Sequence, residues 1–173
     1  ILRQFFCFER LHSIASNISI NDWSRMVQNS DGSTYFSYSK NNNNTGLPES
    51  FLSKLTANGI IDTFFGTNGE IQLPYYNNDN QLKKQTDGKL IVLGFDSGAT
   101  ITRILSNGQI DTTFGISGTT TIPNLSSDSN DRSCGLTLQN DKTLVYGIDF
   151  PDGSAQQIHP QRIYRLNATG SID

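Results

Sequence analysis

Few residue types in this 173-residue chain stand where they could do chemistry. The two histidines, His12 and His159, have no further ligand at metal-binding spacing and no nucleophile arranged beside them as in a triad. Asp128-Ser-Asn-Asp131 and Asn77-Asn-Asp79 resemble pieces of calcium loops. The turn glycine and distal glutamate of such a loop are missing, so polar turns account for both. A glycosidase would need two carboxylates from non-repeating positions. Glu49, Glu70 and Asp96 are the candidates, and their spacing selects no pair. Trp23, Tyr75, Tyr76 and Tyr164 could stack on sugar rings, or pack between sheets. Cys7 and Cys134 read as two separate thiols or as one disulfide of an exported protein. Sequons begin at Asn17, Asn43, Asn124 and Asn167, as expected in a chain this rich in Asn, Ser and Thr. No catalytic, cofactor-binding or metal-binding residue is assigned.

The elements that would position these groups are clearer. A hydrophobic fraction of 35% with abundant polar turn formers suits many short strands, not a helical bundle. Lys54-Leu-Thr-Ala-Asn-Gly-Ile-Ile-Asp-Thr-Phe-Phe-Gly-Thr-Asn-Gly69 recurs as Arg103-Ile-Leu-Ser-Asn-Gly-Gln-Ile-Asp-Thr-Thr-Phe-Gly-Ile-Ser-Gly118, and begins again as Arg165-Leu-Asn-Ala-Thr-Gly-Ser-Ile-Asp173. Upstream of each lies an aspartate-led turn at Asp31, Asp87 or Asp141. Asp87-Gly-Lys-Leu-Ile-Val-Leu-Gly94 matches Asp141-Lys-Thr-Leu-Val-Tyr-Gly147 with one residue dropped. Five residues before each aspartate stands Met26, Leu82 or Leu136. A period of 54 to 56 residues, read from those aspartates, marks a repeat architecture.

The unit reads strand, Asp-Gly turn, strand, loop, strand, Asn-Gly turn, Asp-Thr-x-Phe-Gly, glycine, strand. Asn58-Gly59 and Asn107-Gly108 are two-residue hairpin signals, with both residues suited to positive φ. Asp62 and Asp111 are expected to accept amides two residues on, and Phe65 and Phe114 to plug the core beside a glycine. Asp62, Asp111 and Asp173 recur too regularly for catalysis and read as turn formers. Pro74 and Pro123 close strands, where a missing amide is tolerated.

This pairing of Asp-Gly-Lys-Leu-Ile-Val-Leu-Gly with Asn-Gly-Gln-Ile-Asp-Thr-Thr-Phe-Gly resembles the delta-sixty repeat of predicted bacterial β-propellers. The resemblance covers about residues 26–173 and is most specific over 81–123. It implies an all-β fold: a β-propeller segment of about three four-stranded blades, part of a larger propeller. Residues 26–80, 81–135 and 136–173 are the units of one repeat domain, the last truncated, with 1–25 as a degenerate partial blade. Since the last copy stops at Asp173, the chain is expected to be a segment of a longer one. The family implies no defined activity. The expected role is a non-enzymatic binding or scaffold module, extracellular or on a cell surface, with a protein or glycan ligand. The blades would be closed by the parent chain or by self-association. The alternative is a segment of a carbohydrate-active hydrolase or lyase. A net charge of −3 and a pI near 5.3 argue against nucleic acid, and no apolar run is long enough for a membrane span.

Overall fold

The computed structural model describes residues 25–42, 44–75, 81–95, 98–123, 125–126, 135–140, 142–149 and 161–173. These residues form twelve strands and no helix, hence none long and apolar enough to cross a membrane. The first sheet is the meander β1 (Met26–Gln28), β2 (Thr34–Asn41), β3 (Pro48–Leu55) and β4 (Glu70–Gln72). The second is β5 (Gln81–Lys84), β6 (Leu90–Phe95), β7 (Gly98–Ile104) and β8 (Thr119–Pro123). The third runs β10 (Gly135–Gln139), β11 (Lys142–Asp149) and β12 (Gln161–Leu166), and the short β9 (Leu125–Ser126) pairs the end of β11. Every pairing is antiparallel. The third sheet thus reaches back to Leu125, ahead of the boundary at 136 read from the repeat.

The sheets stack in chain order, and the strand period of two sorts their residues onto two faces. Tyr35, Leu52, Phe65, Leu73 and Tyr75 of the first sheet pack against Leu82, Leu90, Val92 and Ile104 of the second. The other face of the second sheet, with Ile91, Leu93, Ile101 and Phe114, packs against Leu136, Val145 and Leu166 of the third. β6 is therefore buried on both faces, which is why it reads as an unbroken apolar run. The first strands of the three sheets, β1, β5 and β10, touch in succession. Lys83 and Lys84 are tolerated on β5 because both are exposed, and Lys84 reaches Asn29 of the first sheet at 2.6 Å.

The turns correct one expectation. Asn58 and Asn107 do not take positive φ; only Gly59 and Gly108 do. In the turns at 29–33, 56–60, 85–89, 105–109 and 167–171 the glycine N–H bonds the carbonyl three residues before it. That is a three-residue loop, a tight turn followed by a glycine bulge. The residue ahead of the glycine has its side chain free to brace the loop, as Asp87 and Asn107 do by accepting the amide two residues on. The hairpins with two positive-φ central residues lie elsewhere, at Asn68-Gly69 and Ser117-Gly118. In the third sheet Gln139 pairs directly with Lys142, so the dropped residue is in that turn, and Asn140 takes the positive φ.

Candidate functional site

Each sheet carries a basic residue eight positions before an aspartate, at the same place in its fold: Lys54 and Asp62, Arg103 and Asp111, Arg165 and Asp173. The aspartate follows the bulged hairpin, where its N–H bonds the carbonyl of its basic partner. That backbone link fixes both side chains on one edge. As expected, Asp62 and Asp111 accept the amides of Phe64 and Thr113, each at 3.2 Å. Phe65 and Phe114 are buried plugs.

Around Arg103 the group becomes a clasp for the next sheet. Nε donates to Asp111 Oδ2 at 2.8 Å and Nη2 to Thr113 Oγ1 at 3.1 Å, and the guanidinium lies 4.7 Å from the Phe114 ring centroid. Nη1 donates to the carbonyl of Ala168, in the third sheet's hairpin. The Gly115 N–H donates to the next carbonyl, Thr169, at 2.7 Å, and Thr120 Oγ1 to the one after, Gly170, at 2.7 Å. Three successive carbonyls of one hairpin are held. Burial works to raise the Asp111 carboxyl, but hydrogen bonds from Thr113 and the charge of Arg103 outweigh it and hold the group below the usual range.

The first sheet grips the second sheet's hairpin at corresponding points. The Gly66 N–H donates to the Asn107 carbonyl at 2.8 Å, and the Tyr35 hydroxyl approaches the Ser106 carbonyl at 3.4 Å. Lys54 is occupied by Asp62 at 2.8 Å, and that hydrogen bond lowers the Asp62 carboxyl and raises the lysine. Close approach of the two backbones requires glycine. A Cβ on Gly108 would lie 2.3 Å from the Gly66 nitrogen, and one on Gly170 would lie 2.7 Å from that of Gly115.

A second feature is a groove of about 500 Å³ along β4, lined in part by Phe51, Asn68, Glu70, Gln72 and Gln109. Glu70 accepts from Lys40 at 2.7 Å and from the Tyr38 hydroxyl. Burial and this bond to a carboxylate hold Tyr38 protonated well above the usual phenol range. The Lys40 ammonium sits 3.9 Å from the Phe51 ring centroid, and Phe36, Tyr38 and Phe51 stack in a row. Phe51 is buried and offers no open ring to a sugar.

Of the carboxylates named from sequence, Glu49 takes a bond from Asn42 at 2.8 Å. Its cross-strand neighbour is Lys40, whose ammonium bonds Glu70. Both carboxylates are thus engaged by side chains of the first sheet, Glu49 by Asn42 and Glu70 by Lys40 and Tyr38. Tyr75 is buried between the sheets, in space that Gly94 leaves open, and Tyr164 packs half-buried on the third sheet. Asn167 Oδ1 accepts the amides of Thr169 and Ser171 within the hairpin. Residues 1–24, Asn43, Tyr76, Asn77-Asn-Asp79, Asp96, Asn124, Asp128-Ser-Asn-Asp131, Cys134, Asp141 and His159 lie outside the described residues; with 1–24 go Cys7, His12, Asn17 and Trp23. Among the described residues no three His, Cys, Asp or Glu side chains converge as a metal site. Sequence reasoning missed Arg103 as a junction residue, although the recurrence of a basic residue ahead of each Asn-Gly turn was the signal for it. No protein-family model and no curated protein matches the chain.

Proposed function

We propose that this chain is a non-enzymatic scaffold or binding module of an exported or surface-attached protein, its sheets serving as blades of a β-propeller segment of the delta-sixty kind. The clasp carries this reading. Both sheet junctions dock an Asx- or Thr-Gly hairpin onto a Phe-Gly turn of the preceding sheet, the geometry of an array that extends by adding like units. Succession of β1, β5 and β10 along one side supports a radial arrangement. The meander sets the bulged hairpins after β1, β3, β5 and β7 at one end of the sheets and the β2–β3 and β6–β7 connections at the other. The longer β2–β3 connection, rich in Asn, belongs to the face offered to a protein or glycan ligand. Closure comes from a longer parent chain or from self-association.

The competing enzyme reading is tested directly. The chain is incubated with a panel of polysaccharides and aryl glycosides, and released reducing ends are measured. No release above the buffer control is expected. Release that disappears in a Glu70→Gln variant would overturn the scaffold reading.

A further inference from the structure

The two junctions differ at the third carbonyl of the docked hairpin. At the second junction Thr120 Oγ1 donates to the Gly170 carbonyl at 2.7 Å. Ile71 is the counterpart of Thr120, since β4 sets it opposite Leu52 as β8 sets Thr120 opposite Ile101. An isoleucine has no hydroxyl to give. Among the described residues the Gly108 carbonyl, counterpart of Gly170, has no donor, although Gly108 itself is buried. A carbonyl so placed takes its donor from water or from a ligand.

The groove along β4 lies at this position. Ile71 and Gly108 both line it, together with Asn68, Glu70, Gln72 and Gln109. Its volume of about 500 Å³ falls among small-ligand sites, which span about 300–1,000 Å³. Among the described residues the carboxamides of Asn68 and Gln72 make no hydrogen bond. Of the Gln109 carboxamide only Oε1 is engaged, by Asn107 Nδ2 at 3.2 Å. The Glu70 carboxylate is balanced by the Lys40 ammonium at 2.7 Å.

We infer that this groove binds a short, uncharged oligosaccharide. One sugar hydroxyl donates to the Gly108 carbonyl, as Thr120 Oγ1 does to Gly170 at the other junction. Asn68, Gln72 and Gln109 bond neighbouring hydroxyls, each carboxamide offering donors and an acceptor to groups that do both. The half-buried Ile71 takes the C–H face of a ring. Phe51 stays covered, so recognition is by hydrogen bonds and not by ring stacking. With Glu70 already paired and a net charge of −3 on the chain, an acidic sugar is disfavoured. An extended peptide is a poorer occupant. β4 has three residues, and the Glu70 N–H and carbonyl are already bonded to Thr67, which leaves little main chain for an added strand. The groove takes none of its lining from the β2–β3 connection, and it forms whether or not the sheets are blades.

The test titrates the isotope-labelled whole chain with maltose, cellobiose and N,N′-diacetylchitobiose, with digalacturonic acid as the acidic control, and follows the amide NMR shifts. Saturable shifts confined to residues 66–72 and 107–109 are expected with at least one neutral disaccharide and not with the acid. Gln72→Ala, at an exposed side chain, should weaken that binding about tenfold by removing a hydrogen bond. Ile71→Thr sets a hydroxyl where Thr120 has one, pairs the Gly108 carbonyl from within, and should weaken binding by a similar factor. Should Ile71→Thr disturb the core, Gln72→Ala alone decides. No saturable shift with any neutral disaccharide at tens of millimolar would overturn the inference and leave the scaffold reading standing. Shifts centred on residues 41–48 would overturn this site while supporting the glycan-binding reading above. Full affinity in Gln72→Ala would also overturn it, as would groove shifts from acetyl-tetraserine-amide with none from the sugars.

Discussion

At the first junction a lysine and a tyrosine hold what a single arginine holds at the second. The acceptor is equivalent in both, the hairpin carbonyl two residues before the glycine, Ser106 in one and Ala168 in the other. Lys54 puts its compact ammonium on Asp62 and leaves that carbonyl to Tyr35. Arg103 has a planar fork, so one side chain serves Asp111, Thr113 and Ala168 together. The neighbouring positions follow suit. Ile91, an apolar residue without a donor, stands where the first sheet has Tyr35, and Thr113 braces the arginine where the first sheet exposes Phe64. A Lys-to-Arg exchange that looks conservative in the repeat thus changes which residue joins the sheets.

The largest effect should come from emptying the tighter clasp. Arg103 and Asp111 side chains are 7% and 6% exposed, so Arg103→Ala leaves a buried carboxylate with Thr113 and, 3.9 Å away, the Lys89 ammonium, and should cost about 3 kcal/mol. Lys54→Ala, at a pair that is half-buried and nearer to water, should cost about 1 kcal/mol or less. Urea denaturation of both variants checks this. Equal losses would dissolve the distinction between the junctions.

Next in size is the glycine contact. Gly88 and Gly108 close turns of the same kind with φ of +89° and +86°, yet only Gly108 faces a neighbouring sheet. Gly88→Ala should cost about 1–2 kcal/mol from the left-handed backbone alone. Gly108→Ala carries the same strain and in addition drives a methyl group into the Gly66 backbone, about 1–3 kcal/mol more. Thermal unfolding of the two variants measures the difference, which belongs to the junction and not to the turn.

This also shows what the sequence could reveal. Strand order, the buried Phe65 and Phe114, and the aspartate amide bonds were legible because they depend on period and local turn chemistry. The hairpin type at Asn58-Gly59 was misread because Asn-Gly serves two turns. At Asn68-Gly69 the flanking residues pair directly and force both φ positive, whereas at 56–60 an extra residue lets glycine alone take the strain. The partner of Arg103 was hidden for another reason. Ala168 accepts through its backbone, which leaves no trace in side-chain type, and it lies 65 residues away.

Acid should separate the junctions by a smaller margin. Asp62 is held below its usual range by Lys54, and Asp111 by Thr113 and Arg103 against the effect of burial. A carboxyl lowered in the folded state contributes stability above its unfolded value, near 3.9, and loses it as pH falls through the folded value. The stability gap between the parent chain and Asp111→Asn should therefore be full at neutral pH and close below about pH 4. Asp62→Asn should trace the same course with a smaller gap. A gap for Asp111→Asn that is independent of pH would mean that its charge plays no part in the clasp.

The smallest effect tests whether the two solutions are interchangeable. Tyr35→Phe removes one long hydrogen bond and should cost about 0.5–1 kcal/mol. Lys54→Arg alone should change little, since Tyr35 already serves the Ser106 carbonyl and the new guanidinium has to share it. Together the substitutions recreate the arrangement at Arg103, with the arginine on both the aspartate and the carbonyl. The double variant should then be more stable than the sum of the single changes by about 0.5–1 kcal/mol, measured as the coupling term of a double-mutant cycle. Strict additivity would show that Tyr35 and Lys54 act separately, and the likeness of the two junctions would then reduce to the glycine contact they share.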